Sequence, residues 1–243
     1  MKRYACLLAL AFAAASLPAQ KKTSLAIGEQ PPLFSSAGGI VDRVIVASLA
    51  AEGYEAELQW LPIGRMLALL KEDGLERYVT ASNTPGQQHP RVEFLQANGV
   101  FFYKKTRFPA LRAKRLEDLS GRSVATVVNS PNTPLFEAAG LIVDEGSPET
   151  WFDKLDLGRV DFTATADVGG IIMIRKLFPG RESEFAFTEF SYSAITAGLY
   201  ARSDPELLTA ARRGFAKIKA DGSLEAMMRA FFGPEHWKRV IIR

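Results

Sequence analysis

The sequence predicts an α/β fold, and three observations carry the prediction. Stretches with the period of strands alternate with stretches of helical period along the chain. About 224 residues follow an export-like N-terminal segment, a length that suits one or two compact lobes with an ample core. No internal repeat or low-complexity tract breaks the alternation.

Residues 1–19 read as a secretory signal peptide. Lys2 and Arg3 form the charged start, and residues 4–15 an apolar stretch too short for a permanent membrane anchor. Ser16-Leu17-Pro18-Ala19 is the cleavage region, cut after Ala19. Cys6, the only cysteine, lies inside the apolar stretch, so no lipid anchor at a mature N-terminus is expected. The remainder then has no thiol, which excludes disulfides, thiolate metal ligands and a cysteine nucleophile. Loss of Lys2 and Arg3 leaves 28 basic against 27 acidic side chains, a net charge of +1, and no electrostatic case for nucleic acid.

Residues 24–28 read as the first strand, followed by a Pro-Pro loop over 29–39. Val41, Val44, Ile45, Ser48 and Leu49 mark one face of a helix that Gly53 ends. Tyr54, Ala56, Leu58 and Trp60 alternate with polar residues, the period of a half-buried strand. Pro62 opens a second helix with Ile63, Met66, Leu67 and Leu70 on its core face, and residues 77–82 form a third strand. A second unit begins after Phe94, with strands over 100–105, 123–128 and 160–165. Ser147-Pro148 starts a helix that Gly158 stops, and residues 169–177 form another. A strand over 194–202 leads to Asp204-Pro205, a cap and first turn. Leu208, Ala211, Phe215 and Ile218 follow at helical spacing, then Asp221-Gly222-Ser223 and a last helix to Phe231, ended by Gly233.

Two loops carry candidate binding chemistry. Ser82-Asn83-Thr84-Pro85 and Asn129-Ser130-Pro131-Asn132-Thr133-Pro134 each follow a strand, with Thr84 and Thr133 as caps and proline at the first helical position. Helix N-termini hold free N–H groups and partial positive charge, which suits a carboxylate or another anion, and α/β sheets bind ligands at the carboxyl ends of strands. Both are equally ordinary capped turns on spacing alone. Glu29, ending the first strand, either accepts a ligand ammonium or hydroxyl or caps its loop. Phe34 and Trp60 are candidate aromatic walls, Trp60 alternating with core residues. Arg65, in the first turn of a helix, either supplies a cation or is solvated. His89 and His236 have no metal-ligand partner at useful spacing, and neither a P-loop nor a nucleophile elbow is present.

Three motifs occur in order along the chain: Gly28-Glu29-Gln30-Pro31-Pro32-Leu33, the run Leu116-Glu117-Asp118-Leu119-Ser120-Gly121-Arg122-Ser123-Val124-Ala125, and Gly158-Arg159-Val160-Asp161. With the C-terminal strand, long helix, Asp-Gly turn and short helix, they resemble extracellular solute-binding proteins of family 3, the amino-acid-type receptors of ABC importers. Trp60-Leu61-Pro62-Ile63-Gly64-Arg65 points to a divergent subgroup.

The resemblance implies a two-lobed, periplasmic-binding-protein-like (type II) fold. Lobe 1 spans 23–99 plus 198–243 and lobe 2 spans 100–197, with hinge crossings near Tyr103 and Ala194. It implies a periplasmic monomer without cofactor or catalysis. The protein would bind a small polar or anionic metabolite, amino-acid-like or an organic acid, for an ABC permease or a sensor. The family clamps its ligand carboxylate with an arginine; Gln87 or Gln88 occupies that place here, with Arg91 further on. The acid for the ligand amine matches Asp167, one residue late, and a one-residue slip reverses the face of a strand. Two alternatives stand beside this reading: a cyclohexadienyl-dehydratase-like enzyme on the same scaffold, and a ligand-free interaction module. Intact mass of the exported form is expected to place its start near Gln20, with no reaction toward a thiol probe; retention of Cys6 would refute the export reading.

Overall fold

A computed structural model describes residues 20–81 and 88–242. The elements run β1 (Lys21–Glu29), α1 (Ile40–Ala50), β2 (Tyr54–Pro62), α2 (Ile63–Lys71), β3 (Arg77–Ala81) and β4 (Arg91–Lys104). They continue with β5 (Ser123–Val127), α3 (Thr133–Ala138), β6 (Ile142–Gly146), α4 (Pro148–Asp156), β7 (Phe162–Ala166), α5 (Asp167–Leu177) and β8 (Phe185–Phe187). The chain closes with β9 (Ser193–Ala201), α6 (Pro205–Ala220), α7 (Ser223–Phe232) and β10 (Ile241–Ile242). The predicted segment 1–19 lies outside the described residues. Among the described residues, no helix is long and apolar enough to cross a membrane.

The main path of the sheet is β2-β1-β3-β9-β4-β7-β5-β6. In its first half β1 is parallel to β2 and β3, with α1 and α2 as the crossovers that parallel pairing requires. Leu25 and Ile27 of β1 are fully buried, whereas edge strand β2 alternates between half-buried and exposed residues, as its sequence period predicts. In the second half β5 is parallel to β6 and β7, with α3, α4 and α5 around them.

Strand β4 belongs to both halves. Residues from Arg91 to Gly99 pair with β9, while Gly99 to Phe102 pair with β7 and Phe102 to Lys104 with β8. At 14 residues it spans about 46 Å. The sequence reading places this strand over residues 100–105, whereas it begins at Arg91. Gly99 is there for space: a Cβ on it would lie 2.6 Å from the ring of Tyr192. The change of partner falls at Gly99, opposite Ser193, and Tyr103 pairs with Ala186 of β8.

The C-terminal helices complete the first half. Asp204 accepts the N–H of Leu207 at 2.9 Å, the predicted cap of α6, and Phe215 meets Phe94 edge-on at 4.8 Å. Helix α6 lies so close to α1 that a Cβ at Gly214 would fall 1.7 Å from the carbonyl oxygen of Ser48. Gly214→Ala is therefore expected to destabilise the protein by about 2–3 kcal/mol in denaturant unfolding. Gly64→Ala, whose Cβ would sit 3.7 Å from Val128, should be neutral or stabilising, and equal costs would refute the close-contact account.

Candidate functional site

A cleft lies between the halves at the carboxyl ends of β1, β3, β5 and β7, and encloses about 80 Å³. Its first wall holds Phe34 from the loop after β1, Ile63 and Leu67 from α2, and Thr80 near the end of β3. The opposite wall holds Thr126, Val127, Ser130 and Asn132 around the end of β5, and Trp151 on α4. Tyr192 and Ile195 line it from the segment that returns to β9. The halves touch beside it. A Cβ at Gly64 would be 3.7 Å from Val128, and one at Gly169 would be 3.4 Å from the Leu33 side chain. Met66, Leu67, Val127 and Trp151 belong to one apolar cluster that spans both halves.

The sequence candidates divide by position. Phe34, Ser130 and Asn132 line the cleft. Glu29 holds its own loop instead, its carboxylate accepting the Ser35 hydroxyl at 3.0 Å and the Ser36 N–H at 3.2 Å. With Trp60, it borders an adjoining opening of about 630 Å³ that shares Ile63 and Val127 with the cleft. Arg65 is exposed, does not line the cleft, and makes no ion pair among the described residues. Asn83, Thr84 and Gln87 lie outside the described residues.

Arg91 and Gln88 correct the expectation of a cleft clamp. Arg91 pairs across the sheet with Tyr200, itself opposite Tyr78, whereas the cleft end of β3 is Ala81, opposite Ala197. Arg91 thus sits about 10 Å along the sheet from the cleft end. Its guanidinium bonds Glu93 at 2.9 Å and lies over the Tyr200 ring. Gln88 is exposed beside His89, which contacts the Tyr78 hydroxyl at 2.8 Å and Asp73 at 3.3 Å.

The loop after β5 also departs from expectation. Asn132 caps α3, and Thr133 and Pro134 are its first two residues. The Thr133 hydroxyl donates to Glu145 Oε1 at 2.6 Å, and the Asn129 N–H donates to Glu145 Oε2 at 3.1 Å. Asn129 takes a left-handed conformation, φ 61°, to make this contact. Two of the donors expected to hold a ligand anion, the Asn129 N–H and the Thr133 hydroxyl, therefore hold the protein's own carboxylate, while Ser130 and Asn132 line the cleft. Asp167 is buried and lies off the cleft lining. Its Oδ1 accepts the N–H groups of Asn98, at 3.3 Å, and Val168, at 2.8 Å, tying the start of α5 to the crossing in β4.

Thr80, Thr126, Leu67, Trp151 and Tyr192 line the cleft and were missed. Lone threonines near the carboxyl ends of apolar inner strands were the available signal for the first two. Trp151 shares helical spacing with Phe152 and Leu155, which reads simply as core. Burial pushes the Tyr192 phenol above its ordinary range, so it stays neutral at pH 7.

Beneath the Glu29–Ser36 loop, Asp42 of α1 is buried, and its Oδ1 has no hydrogen-bond partner among the described residues. Burial is the largest influence and raises its pKa from 3.8 to about 6. The folded chain thus holds this proton more tightly than the unfolded chain, and the group's contribution to stability declines as pH rises from about 4 to about 6. Asp42→Asn should abolish that decline and stabilise the protein at pH 7 by on the order of 2–3 kcal/mol. Denaturant midpoints across this range test it, and a parallel decline in the variant would refute it.

No family profile matches the sequence, and no curated protein matches it. Solved structures do match in fold. The GluR0 ligand-binding core from Nostoc punctiforme in complex with L-glutamate superposes with a TM-score of 0.71 at 12% identity, over 87% of this chain and 99% of that one. A histidine kinase sensor domain similar to periplasmic binding proteins gives 0.68 at 20% identity, over 88% and 97%. A mutant of the arginine-binding protein of T. maritima gives 0.67 at 18% identity, over 86% and 95%. The chain has the type II periplasmic-binding-protein fold over most of its length.

Proposed function

We propose that the chain is an extracytoplasmic solute-binding protein that captures a small molecule in the cleft and presents its closed form to an ABC importer or a membrane sensor. The observation that carries this reading is that both halves supply cleft walls while the paired strands β4 and β9 lead the chain between them. A solute held between Phe34 and Ile63 on one side and Ser130 and Trp151 on the other contacts both halves at once. It therefore favours the closed arrangement by its differential affinity for it. Bending is proposed at Asn98–Gly99 and Ser193–Ala194, where β4 changes partner. The similar structures support the reading, since one is bound to glutamate, one is an arginine-binding protein and one is a kinase sensor domain.

No catalysis is proposed. The carboxylates Glu29 and Asp167, which would be an enzyme's acid or base, are both engaged in holding backbone. A thermal-shift screen of amino acids, organic acids, amines and neutral amides is expected to yield a binder, since a ligand of the native state alone raises the unfolding midpoint. X-ray scattering should then show a smaller radius of gyration in the bound form. Turnover of prephenate or arogenate would replace this reading with the dehydratase one, and the absence of any stabilising compound would favour an interaction module.

A further inference from the structure

Away from the cleft, we propose a second binding site, between α5, β8 and the segment joining α7 to β10, for a small organic anion whose charged group lies between Arg175 and Arg239. The ligand class is a carboxylate or phosphate ester with an apolar body. The opening there holds about 410 Å³, the size of a small-molecule site, and shares no lining residue with the cleft. It straddles the two halves. Arg175 stands in the last turn of α5, about 12 Å along the helix from Asp167. Arg239 comes just before β10, which pairs with Leu95 and Gln96 in the first part of β4.

The chemistry follows from two cations without a counter-charge. Among the described residues neither Arg175 nor Arg239 forms an ion pair. Both act on one imidazole. Arg175 donates to His236 Nε2 at 2.5 Å, since a guanidinium cannot accept. Burial first, then Arg175 and Arg239, push the His236 pKa below its ordinary value, against a smaller opposing influence of Glu235. The ring is therefore neutral at pH 7, and it offers the arginines no charge. Glu182 is the only acid among the described lining residues, and it forms no ion pair. Backbone hydrogen bonds at its own residue and at Gly180 draw its carboxyl below the ordinary range, with Arg175 a lesser influence. An anion entering between the guanidiniums accepts charge-assisted hydrogen bonds from planar forks that match carboxylate and phosphate oxygens. Ile171, Ile174 and Phe185 line the opening with apolar surface, and Arg239 lies over the Phe187 ring at 5.7 Å. That surface suits a ligand with an apolar body better than a bare ion.

Phenyl phosphate and benzoate, titrated into the full mature chain while the ring resonances of its two histidines are followed, test the proposal. His236→Gln assigns the two signals, and His89, beside Asp73 in the first half, is the distant control. At least one probe should shift His236 saturably, leave His89 in place, and move the His236 titration to higher pH, because the anion offsets the two arginines. Inorganic phosphate and acetate, which lack the ring, should bind at least about five-fold more weakly than their aryl counterparts. Arg175→Gln and Arg239→Gln, both at exposed positions, should each weaken the bound probe by about five-fold or more. Four results would overturn the proposal: no saturable His236 response to either probe, the same response to sodium chloride at matched ionic strength, unchanged affinity in either arginine variant, or equally tight binding of the ringless anion. Because the opening and the cleft share no residue, each of these outcomes leaves the solute-binding reading untouched.

Discussion

Strand β4 meets its backbone hydrogen-bonding needs on β9 along its first part and on β7 and β8 along its last, and this exchange at Gly99 fixes where every cleft residue stands. The exchange requires a residue without a side chain, because the Tyr192 ring occupies the place a Cβ would take. Tyr192 in turn packs on Phe101 and Phe136 at 5.0 and 5.2 Å, so the crossing is seated on the aromatic core of the second half. Asp167 adds a charge-assisted bond to the Asn98 N–H from the same side. Phe34, Thr80, Ser130 and Trp151 come together because the two halves of the sheet share this strand.

Charge in the molecule serves the frame. Lys104 and Arg181 bond Asp156 at 2.7 and 2.8 Å, and Arg181 also bonds Glu184, locking β4 and α4 to the segment before β8. Hydrogen bonds from Arg181 and then Lys104 hold the Asp156 carboxyl below its ordinary range. Glu52, after α1, receives Arg213 and Lys217 of α6 at 2.8 and 2.7 Å. Polar contacts near the cleft follow the same logic, with Glu145 and Glu29 each tying down a loop. Among the described residues, those that line the cleft include no Asp, Glu, Lys, Arg or His.

Local patterns made much of the frame legible. The alternation in β2, the Asp204-Pro205 start of α6 and the Gly233 stop of α7 depend on neighbours within a turn or two, and the structure keeps them. Strand β6 stayed hidden because Asp144 and Glu145 give it no apolar period, and β8 because it has only three residues. At the site, Phe34, Ser130 and Asn132 were legible because they sit in loops directly after inner strands. The places of Gln88 and Arg91 were not, since they depend on the register of β4 against β9, a pairing between segments about a hundred residues apart. Trp151 was hidden for a different reason: a core residue and a cleft residue share one helical period, and only the tertiary fold brings this one to the cleft.

The shared strand also sets an order of assembly. Strands β5 to β8 and helices α3 to α5 come from one uninterrupted stretch, so the second half closes through contacts of modest sequence separation. The first half joins residues 21–99 to 193–242, and until β9 arrives β3 keeps an unpaired edge. A chain emerging from its N-terminus can therefore organise its middle before its beginning. The cavity lining is complete only once the C-terminal segment around β9 is in place, because Tyr192 and Ile195 belong to it.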